Sequence, residues 1–272
     1  MSSARQSRPS GAVIGMAVLG GLAACGAAAS WLTPHDPFAV AAAALAPPSA
    51  GHWFGTDDLG RDVFAGVAYG ARNSLYIGAV AGLIAGILGV AIGGAAGLSV
   101  GLSDHVLMRT TEFVQALPRF FLIVLIVSLF GSSFTLIVLV LGCTAWPAPA
   151  RVFRAQVLAM TSRDFVSAAR AAGSGEAGIL RRHVLPLAAP VLAAQISYQA
   201  GGAILAEAGL SFLGLGDPSI MSWGTMLGSA QHFVREAWWM SLFPGLAVML
   251  TVLGCNLIAD SLVDRRNVAG PR

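Results

Sequence analysis

Nucleotide chemistry requires residues that this chain does not contain. All 16 basic residues are arginine, whereas the G-x-x-x-x-G-K-[ST] loop that cradles nucleotide phosphates depends on a lysine. The chain therefore has no phosphate-binding loop of its own. Any ATP-driven activity must take its nucleotide site from another chain.

Ser211 is the residue whose setting comes nearest to that of a nucleophile. It lies in Gly209-Leu210-Ser211-Phe212-Leu213-Gly214, which is a G-x-S-x-x-G run and not the G-x-S-x-G elbow of serine hydrolases. The next histidine along the chain, His232, lies close to the charged residues Arg235 and Glu236. An intramembrane serine protease is therefore a disfavoured alternative.

A short acidic run is the best place to look for a metal site. Asp57, Asp58 and Asp62 lie within six residues of one another, together with Arg61. Their spacing follows no regular ligand pattern, so we favour a solvated loop whose charges pair with one another. The three cysteines lack C-x-x-C spacing and neighbouring histidines, which indicates packing residues. We expect no metal site.

The composition predicts the elements that must position these residues. Of 272 residues, 56% are apolar and 11% are charged, and the mean hydropathy is +0.74. Soluble domains carry about 25% charged residues, so a water-soluble globular protein and a disordered chain are both excluded. The net charge of +3 does not indicate nucleic-acid binding, because the arginines bracket apolar segments.

The apolar runs predict an all-α, polytopic membrane protein with six transmembrane helices. A helix needs about 20 residues to cross a bilayer core of about 30 Å. Gly131-Ser132-Ser133 interrupts one run that is too long for a single crossing. The predicted spans are residues 11–32, 75–102, 113–130, 134–150, 187–206 and 237–258.

The arginines predict which face of this membrane domain, residues 11–260, is cytoplasmic. Thirteen of the 16 lie on one face, and Arg61, Arg72 and Arg235 lie on the other. By the positive-inside rule, the tails 1–10 and 261–272 and the loop 151–186 are cytoplasmic, and the loops 33–74 and 209–236 are outside. A lipoprotein-like cleavage site at Cys25 is disfavoured, because the apolar run continues to Leu32.

Polar residues at membrane depth are candidates for a translocation path, because they are costly unless they face a cavity or a partner. These are Gln195, Tyr198, Gln199 and Glu207. Gln195 and Gln199 share one helix face, where they either line a path or form interhelical hydrogen bonds. Asp260 is expected at the inner boundary. An ion-driven transporter with Glu207 as proton carrier is an alternative, although no convincing inverted repeat supports it.

A stripe of glycines runs down the second predicted span. Its members are Gly82, Gly86, Gly89, Gly93 and Gly97, which recur at helical spacing. Such a stripe allows another helix to approach closely. The sequence leaves open whether that helix belongs to this chain or to a partner subunit.

The cytoplasmic loop 151–186 predicts two short helices. Thr161 to Asp164 has the form of a capping box, and Gly173 is suited to end the first helix. Phe165, Ala168, Ala169 and Ala172 recur on one apolar face of that helix, and Ser174 is expected to cap the second. The exposed apolar face is expected to contact a partner protein, with a lipid surface as the alternative.

The same loop resembles a known signature. Asp164 to Gly173, followed by Ile179 and His183-Val184-Leu185-Pro186, is similar to the E-A-A-x-x-x-G-(x)n-I-x-L-P motif of permease subunits of binding-protein-dependent ABC importers. Ser167 stands where the motif opens with an acid. The runs 54–62 and 209–216 resemble the dipeptide, oligopeptide and nickel branch of that family, and its second, C-type permease.

This resemblance implies a type I ABC importer permease fold in the cytoplasmic membrane of a prokaryote. It implies a second homologous permease, two ATP-binding subunits or one fused pair, an external solute-binding protein, membrane lipid around the chain, and no nucleic acid. The chain would bind no cofactor, and ATP and Mg would belong to the ATPase subunits. The cargo would be a di- or oligopeptide, with nickel or another small solute as the alternative.

The resemblance also implies two sets of contact residues. Those expected to couple to the ATPase are Asp164, Phe165, Ser167, Ala168, Ala169, Ala172, Gly173, His183, Leu185 and Pro186. Those expected to face the binding protein are Asp57, Asp58, Arg61, Asp62 and Trp223.

Overall fold

The computed structural model describes residues 10–33, 35–99 and 101–268, and over these residues the fold is all-α, as the sequence predicts. Of the predicted tail 1–10, only residue 10 is within this range. Of the predicted tail 261–272, residues 269–272 lie outside it. The helices are α1 (Ser10–Ala27), α2 (Ala29–Leu32), α3 (Val63–Leu98), α4 (Leu102–Ala116), α5 (Arg119–Phe130), α6 (Phe134–Ala145), α7 (Pro147–Thr161), α8 (Asp164–Ala171), α9 (Glu176–Ile179), α10 (Leu185–Phe212), α11 (Trp223–Ala230) and α12 (Trp239–Val268). A π-helical turn, Leu180–Val184, joins α9 to α10.

Three of the described helical segments are long and apolar enough to cross a membrane. They are Val63–Leu98, Phe134–Thr161 and Trp239–Asp264. A fourth crossing results if α4 and α5, which are bent by 78°, form one broken span. Helix α1 is apolar but shorter. The six-span topology therefore remains a prediction.

Helix α3 starts at Val63, well before the predicted start of the second span at residue 75. Asp62 is the reason, because its side chain accepts a hydrogen bond from the Ala65 N–H at 2.9 Å and caps the helix. The predicted outside loop thus ends at residue 62. Arg72 belongs to the helix, and its guanidinium donates to the carbonyls of Gly26 and Ala27 at the end of α1.

The third and fourth predicted spans differ most from the structure. Residues 113–130 do not form one helix, because Pro118 lacks an N–H and the chain breaks between α4 and α5. The turn predicted at Gly131 is confirmed, with a φ of +93°. The fourth span continues through α7 to Thr161, because Pro147 lies in the first turn of that helix, where proline is tolerated.

The helices at the last two predicted spans also extend beyond the predicted ends. Helix α10 covers Leu185–Phe212 where residues 187–206 are predicted, and α12 covers Trp239–Val268 where residues 237–258 are predicted. At the first span, the predicted helix 11–32 is interrupted at Ala28. Apolarity predicts where a span lies, but a helix ends only where its backbone hydrogen bonds end.

The glycine stripe of α3 packs against other helices of this chain. A Cβ atom at Gly82 would lie 2.8 Å from the Ile196 carbonyl oxygen in α10, and one at Gly97 would lie 2.6 Å from Val157 in α7. Gly86 also meets α10, and Gly89 and Gly93 meet the start of α7. Helix α3 is therefore the central helix of the bundle, and the structure places this close approach within one chain.

Candidate functional site

Helix α8 is attached to the rest of the chain by one buried side chain. Val166 has no exposed surface, and it packs in a cluster with Phe153, Val157 and Ile179. On the opposite face, Phe165 is 38% exposed and Ala168 and Ala172 are exposed. The outward apolar surface predicted from the sequence is thus present. The anchor Val166 was not predicted, although its apolar character was visible in the sequence.

The predicted contact face is narrower than the sequence indicates. Ala169 is half-buried and packs against the cluster that contains Val166. Asp164 and Ser167 are exposed, and His183 is half-buried with its ring centroid 6.2 Å from that of Phe165. Leu185 is half-buried, and Pro186 is exposed in the first turn of α10.

The predicted capping box of α8 is wrong, whereas its predicted end is confirmed. Arg163 occupies the N-cap position, and no side chain caps the helix there. At the other end Gly173 has a φ of +84°. The Ser174 N–H donates to the Ala169 carbonyl and the Gly173 N–H donates to the Arg170 carbonyl, which together form a Schellman motif.

A bidentate ion pair holds α8 to the start of α9. The guanidinium of Arg170 donates to both carboxylate oxygens of Glu176, at 2.8 and 3.1 Å. The hydrogen bonds to this carboxylate raise the pKa of Arg170. The predicted cap of the second short helix is wrong, because Gly175 and not Ser174 is its N-cap. The chain then passes through the π-helical turn directly into α10.

The candidate path residues are arranged along α10. Gln195, Tyr198 and Gln199 are half-buried. The hydroxyl of Tyr198 donates to Asp260 of α12, so these two residues join the helices. This pairing across helices was not predicted, because the two residues are far apart in the sequence.

Glu207 is enclosed near the end of α10. It is 3% exposed, and its Oε1 accepts hydrogen bonds from Ser211 at 2.9 Å and Ser222 at 2.7 Å. Ser222 also caps α11 in a capping box with Thr225. Glu207 therefore connects α10 to α11, and Ser211 donates to this carboxylate instead of pairing with a histidine. This geometry does not favour the serine protease reading.

The residues expected to face a binding protein divide into two groups. Trp223 has no exposed surface, and its indole N–H donates to the Val67 carbonyl at 3.0 Å. Asp62 is 4% exposed and binds His52 at 2.7 Å in addition to capping α3. Both are thus core residues, and the expectation of an outward position is corrected for them. Asp57, Asp58 and Arg61 are half-buried.

Asp217 holds the segment after α10 against the start of α6. Its carboxylate accepts hydrogen bonds from the Phe134 N–H at 2.8 Å and from Ser219. Burial raises the pKa of Asp217, but these hydrogen bonds outweigh it and hold the pKa below its ordinary value. Among the described residues, no group of three or more histidine, cysteine or acidic side chains could hold a metal ion.

Comparisons with known proteins agree with this architecture. Residues 89–267 match the family described as binding-protein-dependent transport system inner membrane component. The chain is 43% identical, over 94% of its length and 88% of the relative's, to the dipeptide transport system permease protein DppC of Escherichia coli strain K12. It is 42% identical, over 84% of its length and 77% of the relative's, to a probable peptide ABC transporter permease protein of Sinorhizobium fredii.

A third relative is a putative peptide permease protein of Brucella suis biovar 1, which is 37% identical over 86% of this chain and 78% of the relative. The family match covers well over half of the chain and includes α8, α10 and α12. The chain therefore belongs to the family of inner membrane components of binding-protein-dependent transport systems and is a multi-pass membrane permease.

Proposed function

We propose that this chain is the permease subunit of an ATP-driven importer of di- or oligopeptides. It pairs with a second homologous permease. Two ATP-binding subunits, or one fused pair, drive the permease pair from the cytoplasm, and an external solute-binding protein delivers the peptide. Its 43% identity to a dipeptide permease over 94% of the chain supports the cargo. Nickel or another small solute is the second candidate, because the motifs 54–62 and 209–216 also resemble nickel importers.

The exposed apolar face of α8 is the observation that carries the coupling mechanism. Phe165, Ala168 and Ala172 face outward on a helix whose other side is fixed by Val166. An apolar face of this kind requires a partner, and the chain has no phosphate-binding loop of its own. We assign this face to the ATPase, and Asp164, Ser167, His183 and Pro186 to its border.

The connection between α8 and α10 provides a route for the movement. The ion pair of Arg170 with Glu176 holds α8 to α9, and the π-helical turn joins α9 to α10 without a loop. Closure of the ATPase subunits would then move α8 and the inner end of α10 together. The spans would alternate between outward-open and inward-open states, with Gln195 and Gln199 as the path residues on α10.

Orientation follows from the same assignment. The ATPase-binding loop must be cytoplasmic, which agrees with the excess of arginine on that face. The cytoplasmic amino and carboxyl termini follow if the chain has six spans. The membrane is the cytoplasmic membrane of a prokaryote.

Reconstitution tests this proposal. The chain purified alone should hydrolyse no ATP. The complex of both permeases and both ATPases in liposomes, supplied with the binding protein, should import L-alanyl-L-alanine only when ATP is present. Import of Ni²⁺ instead of the peptide would move the chain to the nickel branch. Uptake driven by a proton gradient without ATP would support the ion-driven alternative, with Glu207 as the residue to test.

A further inference from the structure

A cavity of about 500 Å³ lies at the end of the bundle opposite to α8. The turn before α3, the segment after α10, helix α11 and the start of α12 form its walls. This volume is within the range of small-molecule sites, which is about 300 to 1,000 Å³. Nothing in the coupling mechanism uses this cavity.

One wall of the cavity carries a positive and a negative side chain. Asp57 and Arg61 both line it, beside a second acid, Asp62, whose carboxylate already binds His52 and the Ala65 N–H. The backbone holds them in one rigid turn, because the Asp57 N–H donates to the Arg61 carbonyl at 2.9 Å and the Arg61 N–H donates to Asp57 Oδ1 at 2.7 Å. The turn therefore fixes the backbone positions from which the two side chains enter the cavity.

Neither charge is neutralised by an ion pair among the described residues. The guanidinium of Arg61 lies 5.5 Å from the centre of the Phe38 ring, and no acidic group lies within ion-pair distance of it. The Oδ1 atom of Asp57 accepts hydrogen bonds from the backbone N–H groups of Leu59 and Arg61, whereas Oδ2 accepts none from the described residues. Burial raises the pKa of the Asp57 carboxyl.

Other walls of the cavity are apolar and adaptable. Met221, Met226 and Met240 line it, which is three of the eight methionines in the chain. Methionine is unbranched and flexible, so surfaces rich in it accept ligands of different shapes. A site with opposite charges on Arg61 and Asp57 and with adaptable apolar walls suits a zwitterion with variable side chains.

We propose that this cavity is a binding site for small peptides, in which Arg61 binds the peptide carboxylate and Asp57 binds its ammonium group. The methionines contact the peptide side chains. The proposal rests on the proposed function, and it adds a site on the permease itself to any site on the solute-binding protein.

Direct binding tests the proposal. The full complex of both permeases and both ATPases is placed in lipid nanodiscs without the binding protein, and binding of L-alanyl-L-phenylalanine is measured by saturation-transfer NMR. Arg61→Gln and Asp57→Asn should each weaken binding about tenfold, because each removes a charge-assisted contact. Asn at position 57 still offers an oxygen to the Leu59 and Arg61 N–H groups, so the turn is kept.

Matched controls separate the site from a general charge effect. Asp58→Asn removes a charge next to Asp57 in the sequence, and Arg235→Gln removes a charge on the same predicted face of the membrane as the cavity. Neither residue lines the cavity. Both variants, and the charge-conserving Arg61→Lys, should bind the peptide within twofold of wild type. N-acetyl-alanyl-phenylalanine amide, which lacks both charges, should not bind.

Three results would overturn the proposal. They are wild-type binding in Arg61→Gln and Asp57→Asn, equal weakening in the Asp58 and Arg235 controls, and no binding of the dipeptide by the wild-type complex. If the complex nevertheless imports the dipeptide when the binding protein is present, only the cavity assignment fails. If it imports no peptide at all, the proposed function fails.

Discussion

Gly173→Val is the most direct test of how α8 transmits force. Gly173 has a φ of +84°, and a Cβ atom built on it would meet no heavy atom within 4 Å. The added Cβ atom therefore meets open space, and the expected cost is that of the left-handed backbone, about 1–2 kcal/mol. A branched side chain is among the least suited to this conformation.

The loss of stability in Gly173→Val should appear as local opening of the loop at the end of α8 and not as global unfolding. The Schellman hydrogen bonds from Ser174 and Gly173 end α8, whereas Val166 and Ile179 keep the loop attached to the bundle. A cost of about 1–2 kcal/mol corresponds to a roughly 5- to 30-fold shift in population. Docking of the ATPase to the permease pair should weaken by a similar factor, and uptake should fall with it.

Gly175→Val is the matched control. Gly175 also has open space around it, but its φ of −70° and ψ of 159° are accessible to valine. ATPase binding to nanodiscs that contain each permease pair, together with ATP-driven uptake, provides the measurement. Normal ATPase affinity and wild-type uptake in Gly173→Val would refute the assignment of α8 as the coupling site. The same losses in Gly175→Val would refute the backbone explanation.

Three further predictions concern packing, acidity and orientation. Gly82→Ala should lower the unfolding temperature in detergent, because overpacking against the Ile196 and Ala200 backbone in α10 costs about 1–3 kcal/mol. The control Gly20→Ala, whose Cβ meets nothing within 4 Å, should leave the unfolding temperature equal or higher. Equal effects of the two substitutions would contradict the close approach of α3 and α10. Asp217→Ala should lower the free energy of unfolding by about 1 kcal/mol at pH 7. Because the pKa of Asp217 in the folded protein is below its ordinary value, the stabilisation by this carboxylate is present above about pH 4 and is lost as the pH falls through the folded pKa. A constant stability difference between variant and wild type from pH 7 to pH 3 would argue against this account. In a background with the native cysteines replaced, single cysteines at Ser49 and Ser219 should react with an impermeant thiol reagent added to intact cells, and one at Ser174 should not; labelling at Ser174 would reverse the orientation.

Ala169 and Ala172 differ in how far they belong to the exposed face of α8. The sequence places Ala169 on the apolar face of α8, where a charge would disturb only the ATPase contact. In the structure Ala169 packs against the cluster around Val166, so glutamate there would also disturb the permease. Ala172 is exposed, and Ala172→Glu tests the contact without that complication.

The sequence by itself determined the class of protein, the all-α fold and the positions of the turns at Gly131 and Gly173. These depend on local properties, namely the apolar content of a segment and the ability of glycine to adopt positive φ. It could not determine where α3 begins or that α7 continues the fourth span, because the first depends on the cap supplied by Asp62 and the second on a proline that is tolerated in a first helical turn.

Only the tertiary structure decided which polar residues meet. Tyr198 binds Asp260, Glu207 joins Ser211 to Ser222, and Asp217 binds the Phe134 N–H. The structure also places Trp223 in the core, where the resemblance implies a surface position. Apart from the link between Glu207 and Ser211, one turn along α10, these contacts join residues that are distant in the chain. No local pattern encodes them, because packing of the helices alone brings such residues together.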